Sequence, residues 1–123
     1  MGSLERLRIL AAEDELLVAM QLEDILRTLG CAVVGPVASL ADALEAARGE
    51  RLDGAVIDVN LRGELIFPAA EILVDRGVPI LFCSGYIDAS LFPEAFRDHP
   101  RITKPYHDEM LQQALVRMFA AAA

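Results

Sequence analysis

The sequence predicts an α/β fold, a doubly wound parallel sheet of five strands in the order 2-1-3-4-5, and three observations lead there. Short apolar runs alternate with amphipathic stretches along the whole chain, the turns between them are brief, and four of the runs end in residues able to handle a phosphoryl group or a metal ion. Alternation joined by short turns requires right-handed crossovers and a sheet covered on both faces. The strand ends Glu13-Asp14, Asp58, Ser84-Gly85 and Lys104-Pro105 then share one edge, where open α/β sheets bind ligands.

Each element has its own local reason. Leu7 to Ala12 is an apolar run bounded by charge, as in a strand buried on both faces. Val18, Leu22, Ile25 and Leu29 recur at helical spacing from about Glu15, and Gly30 stands where a left-handed C-terminal cap is expected. Ala32 to Val34 reads as a second strand stopped by Gly35-Pro36, and Ser39 as the N-cap of a helix over Leu40 to Arg48. Asp53 to Asp58 is the third strand. Pro68 suits a first helical turn, so a third helix starts near Phe67 and ends before Gly77. Val78 to Cys83 is the fourth strand. Pro93 interrupts the stretch from Ile87 to His99, so a fourth helix there should be short or distorted. Arg101 to Thr103 gives a brief fifth strand, and Met110, Leu111, Ala114, Leu115 and Met118 form the apolar stripe of a closing helix.

The length of 123 residues fits a single domain over 1–123 with a real core. No apolar run approaches the ~18 residues of a membrane span, and no leader is visible at Met1-Gly2-Ser3, so a cytoplasmic protein without membrane contact is expected. A net charge of -8, from 19 acids against 11 bases, disfavours nucleic acid as a partner and suits cations or basic protein surfaces. Cys31 and Cys83 lack the number and spacing of a zinc site or a disulfide framework. The predicted order sets their strands three positions apart, roughly 14 Å at ~4.8 Å per strand, so both thiols should be free. His99 and His107 read as surface residues.

The strand-end residues carry the chemistry. If the first and third strands are neighbours, Glu13, Asp14 and Asp58 converge, and three carboxylates repel one another unless a cation is present. A hard divalent ion with oxygen ligands answers that repulsion, and magnesium suits a small site that also accepts a phosphate oxygen. Asp58 can then act as a nucleophile, with the Ser84 hydroxyl and the Lys104 ammonium meeting the transferred oxygens.

Ala12-Glu13-Asp14, Ile57-Asp58-Val59-Asn60, Phe82-Cys83-Ser84-Gly85-Tyr86 and Lys104-Pro105-Tyr106 together resemble the bacterial response-regulator receiver domain over nearly the whole chain. The resemblance implies a flavodoxin-like receiver fold and a phosphorelay switch that takes its phosphoryl group from a sensor histidine kinase or a histidine phosphotransfer protein. It makes Asp58 the phosphoacceptor, Asp14 a direct magnesium ligand, Glu13 a ligand mainly through water, and the Asn60 carbonyl a further ligand. It gives Ser84 and Lys104 to the phosphoryl group, and it places a downstream protein effector on the face of the fourth helix, fifth strand and fifth helix. The segment around Ser84-Gly85-Tyr86 is similar to a subgroup with Phe-Ala-Thr-Gly-Tyr at this place. Receivers usually carry Tyr or Phe three residues before the lysine, and here that position is Arg101, with Tyr106 as a partial replacement. Two other classes share some of these features. A haloacid-dehalogenase-type phosphatase would need an Asp at position 60, where Asn60 stands, and a pseudo-receiver that only binds a partner would not need the intact acid set.

Overall fold

A computed structural model describes the backbone of residues 4–85 and 92–122 and the side chains of those residues up to 120. The chain runs β1 (Arg8–Ala12), α1 (Leu16–Thr28), β2 (Ala32–Val37), α2 (Leu40–Gly49), β3 (Gly54–Asp58), β4 (Asn60–Leu61), β5 (Glu64–Leu65), α3 (Phe67–Asp75), β6 (Ile80–Ser84), a 3-10 turn (Glu94–Phe96), β7 (Arg101–Thr103) and α4 (Asp108–Ala122). The main sheet has the order β2-β1-β3-β6-β7, all its pairs parallel, and β4 with β5 makes a separate antiparallel hairpin. Without that hairpin the parallel strands read 2-1-3-4-5 in chain order. The expected fold class therefore holds, and the change of numbering comes from the hairpin alone.

Two apolar layers sandwich the sheet. On one face Leu10, Ile57, Ile80 and Phe82 pack with Ala43 and Ala47 of α2 and Ala69, Ala70 and Leu73 of α3. On the other, Ile9, Val56 and Leu81 pack with Leu22, Ile25 and Leu26 of α1 and Leu111, Leu115 and Met118 of α4. The period-2 alternation of strand side chains divides each strand between the two layers. All five residues of β3 are buried, which is why its sequence is an unbroken apolar run up to Asp58.

Local chemistry fixed most boundaries. The Ser39 hydroxyl accepts a hydrogen bond from the Asp42 backbone N–H at 3.1 Å, the expected cap of α2. Gly30 follows α1 at φ +90°, and Pro68 sits in the first turn of α3. The stop expected at Gly35-Pro36 is corrected: β2 continues to Val37. It is an edge strand, where a proline removes no needed ladder donor, and a bulge absorbs the extra residue between the pairs Leu10–Val34 and Ala12–Val37. Gly35 has φ +102°, and a Cβ there would lie 2.6 Å from the Val37 nitrogen, so no other residue fits this bulge well.

Among the described residues, the interrupted segment before β7 has one 3-10 turn, at Glu94–Phe96; Tyr86 and the first half of the suggested fourth helix lie outside the described residues. His99 is not a plain surface residue, because its ring packs edge-on against Phe82 and Phe96 at 5.9 and 5.4 Å between centroids. Cys31 and Cys83 are buried free thiols, as the strand order required.

Leu73 is fully buried, whereas its neighbour Val74 is 43% exposed. Leu73→Ala should cost about 2–5 kcal/mol in urea unfolding, against less than about 0.5 kcal/mol for Val74→Ala. Equal losses at the two positions would contradict this packing.

Candidate functional site

Parallel strands present their C-terminal ends on one edge, and that edge gathers the chemistry-bearing residues. β1 delivers Glu13 and Asp14, β3 ends at Asp58, β6 ends at Ser84, and Lys104 follows β7 directly. Carboxylate oxygens of Glu13, Asp14 and Asp58 all lie within 4.8 Å of one another. Asp14, Glu15, Asp58, Asn60, Ser84, Phe92 and Lys104 are among the residues lining a cleft of about 390 Å³ over this edge. The structure therefore brings Glu13, Asp14, Asp58, Asn60, Ser84 and Lys104 together on one edge.

Lys104 reaches deep into the acid cluster. Its Nζ donates to Asp58 Oδ2 at 2.7 Å and to Glu13 Oε1 and Oε2 at 3.0 and 3.2 Å, with Glu15 Oε1 at 3.4 Å on the rim. Glu13 and Asp58 are only 3% and 5% exposed, so an unpaired charge on either would carry a large desolvation cost. Burial lowers the tendency of the Lys104 ammonium to stay charged, but its hydrogen bonds to Asp58 and Glu13 outweigh this and hold its pKa above the ordinary lysine value. Burial raises the Glu13 pKa, with the Glu15 N–H and Lys104 acting in the opposite direction.

Backbone donors set the remaining oxygens. Asp58 Oδ1 accepts the Asn60 N–H at 3.2 Å, and Glu13 Oε2 accepts the Glu15 N–H at 3.0 Å. Asp14 Oδ2 accepts the Arg62 N–H at 2.9 Å. Burial would raise the Asp14 pKa, but hydrogen bonding with Arg62 and Glu13 leaves it below the ordinary value.

The Arg62 contact depends on the β4–β5 hairpin, which the sequence reading missed. Arg62 and Gly63 form its two-residue loop at φ +52° and +87°, and the Asn60 side-chain oxygen accepts the Gly63 N–H at 2.8 Å. The available signal was Gly63 within a two-residue gap between Leu61 and Glu64.

Two aromatic expectations resolve differently. Tyr106 is buried with Leu111 and Leu115 on the α1–α4 face, whereas the Arg101 guanidinium lies 4.7 Å from the ring centroid of Phe92 in the opposite layer. Tyr106 therefore does not replace an aromatic at position 101. Burial, with the Cys83 thiol next in weight, raises the Tyr106 pKa well above the usual phenol range. Burial does the same to Cys83, aided by Asp58, so this thiol beside the cluster is no nucleophile.

No protein-family model matches the chain. The transcriptional regulatory protein PdtaR of Mycobacterium tuberculosis is 34% identical over 89 residues, 72% of this chain, and the match spans only 43% of that protein's length. Among solved structures, SdrG from Sphingomonas melonis Fr1 is 38% identical with a TM-score of 0.79, the match covering 94% of this chain and 98% of that one. A response regulator receiver protein from Sinorhizobium medicae is 27% identical with a TM-score of 0.83, covering 98% and 100%. Identity at this level over full-length matches, joined to the sheet order and the acid cluster at its edge, places the chain in the response-regulator receiver-domain family.

Proposed function

We propose that residues 1–123 act as one phosphoacceptor domain of a two-component phosphorelay, with Asp58 the residue that is phosphorylated. The observation that carries this reading is the convergence of three carboxylates, an ammonium and the Ser84-bearing strand end on one cleft. In the transfer, an Asp58 carboxylate oxygen attacks the phosphorus of a phosphohistidine. The P–N bond breaks, the imidazole departs with its electron pair, and an acyl phosphate remains. Lys104 exchanges its bond to Asp58 Oδ2 for one to a phosphoryl oxygen, and Ser84 contacts another. The Asn60 N–H keeps the carboxylate oriented during attack.

The donor set suits magnesium, being all hard oxygen and more negative than one lysine can balance. Asp14, Asp58 and the Asn60 carbonyl would hold the ion directly and Glu13 through water, and the bound ion would supply neutralisation of charge on the transferred oxygens. The Arg62 N–H fixes one Asp14 oxygen and thereby orients the other.

The phosphoryl donor is a sensor histidine kinase or a histidine phosphotransfer protein. Leu16, Leu17 and Met20, 73%, 78% and 57% exposed on α1 beside the cleft, offer it an apolar landing surface. The output partner is a protein bound at the β7–α4 side. There Pro100, Ile102, Met110, Ala114 and Met118 line a groove of about 520 Å³. No helix among the described residues is long and apolar enough to cross a membrane.

Intact-mass measurement after treatment with a small acyl-phosphate donor tests the reading. Wild type should gain one phosphoryl mass only with magnesium present, and Asp58→Asn should gain none. Stoichiometric labelling of that variant would remove the proposal. Magnesium should also raise the melting temperature at fixed ionic strength, because unfolding disperses the three carboxylates. At ~100 times its dissociation constant the linkage is ~2.7 kcal/mol. A melt indifferent to magnesium into the tens of millimolar would count against the site.

A further inference from the structure

Glu15 stands at the N-cap of α1, where a short polar side chain usually closes the first helical turn. Its side chain makes no such bond. The carboxylate turns to Lys104 instead, with Oε1 3.4 Å from Nζ, and stays 66% exposed on the rim of the acidic cleft. Asp58 and Glu13 already hold that ammonium at 2.7 and 3.0 Å, so Lys104 does not depend on this third acid. An exposed ion pair of this length adds little to stability, and the fold does not need Glu15.

Its charge matters in the cleft. Asp14, Glu15 and Asp58 line it, Glu13 lies against the Lys104 ammonium, and Lys104 is the one cation among the described lining residues. With the four acids ionised, the excess is three negative charges. A bound divalent cation reduces that excess to one charge, and without Glu15 the loaded cleft would be neutral. This rim carboxylate therefore decides whether the loaded cleft repels an incoming anion.

We infer that Glu15 is a specificity-determining residue for the phosphoryl donor: its charge holds back free acyl-phosphate dianions and favours P–N donors of lower net charge. Phosphohistidine belongs to the second class when its imidazole is protonated, because the ring then offsets one charge of the phosphate. The discrimination comes from charge at the rim and requires no contact between Glu15 and the transferred group. This inference rests on the phosphoacceptor reading, since it takes Asp58 as the acceptor.

Two small donors provide the probe, acetyl phosphate as a dianion and phosphoramidate as a monoanion at neutral pH. An Asp58 oxygen attacks phosphorus in both; the P–O bond of the first breaks to release acetate, and the P–N bond of the second breaks to release ammonia. With magnesium saturating, Glu15→Gln should be labelled by the monoanion about 2- to 5-fold faster than wild type, from the Coulomb energy of one charge pair across a wet cleft. The dianion should gain by roughly the square of that factor, since its Coulomb energy is doubled. Both gains should shrink at high salt. Equilibrium titrations followed by the Asp58 and Ser84 amide resonances give a readout without turnover. Glu15→Gln should bind magnesium more weakly and, at saturating magnesium, beryllofluoride more tightly, whereas a merely structural defect would weaken both. The inference is overturned if Glu15→Gln changes the two donor rates by the same factor or not at all, or if the two affinities move together. Failure of wild type to take a phosphoryl group from either donor would instead defeat the phosphoacceptor reading, and this inference with it.

Discussion

The contact on which the rest of the site depends is the one between Lys104 and the two buried carboxylates of Glu13 and Asp58. A sheet edge that gathers three acids is unstable by itself, and the fold tolerates it because β7 ends where its next residue can put an ammonium 2.7 Å from Asp58 and 3.0 Å from Glu13. The Lys104 backbone N–H, bonded to the Ser84 carbonyl at 2.8 Å, fixes that residue at the end of the ladder. The geometry of a three-residue edge strand thus sets the electrostatics of the whole cleft. Among the three clustered acids and one base, negative charge remains in excess, and that excess is what invites a divalent ion.

The same constraint explains the division of labour among backbone groups. Asp58, Glu13 and Asp14 each have an oxygen tied to a main-chain N–H, from Asn60, Glu15 and Arg62 in turn. Main-chain donors cannot wander as side chains do, so the carboxylates keep their orientation whichever cation faces them. The Arg62 donor comes from a hairpin outside the main sheet. Its left-handed loop therefore serves the site and not the core.

Much of this was legible in the sequence, for reasons that differ by residue. Strand ends could be read because β3 and β6 are buried apolar runs, so the first polar residue after each, Asp58 or Ser84, marks the edge. Helix starts could be read from Ser39 and Pro68, whose backbone preferences are local. The reach of β2 past Pro36 was not legible, because it depends on a bulge and on the strand lying at the sheet edge. The β4–β5 hairpin was hidden by its brevity, with two residues per strand and no alternation to detect. Lys104 was placed at the site but assigned only to the incoming phosphoryl group. That it already neutralises Glu13 and Asp58 follows from burial, which composition and spacing do not report. The stack of Arg101 on Phe92 joins residues nine apart across an irregular segment, beyond any periodic signal.

The central claim is that the cleft directs phosphoryl transfer to one carboxylate of three that lie within 4.8 Å of each other. Borohydride reduction tests it most directly, since it converts an aspartyl phosphate to homoserine and marks the reacted position permanently. After labelling with an acyl-phosphate donor and magnesium, peptide mapping should find homoserine at position 58 and at neither position 14 nor any other aspartate. Homoserine at position 14, or a labelled protein with no homoserine at position 58, would contradict the account.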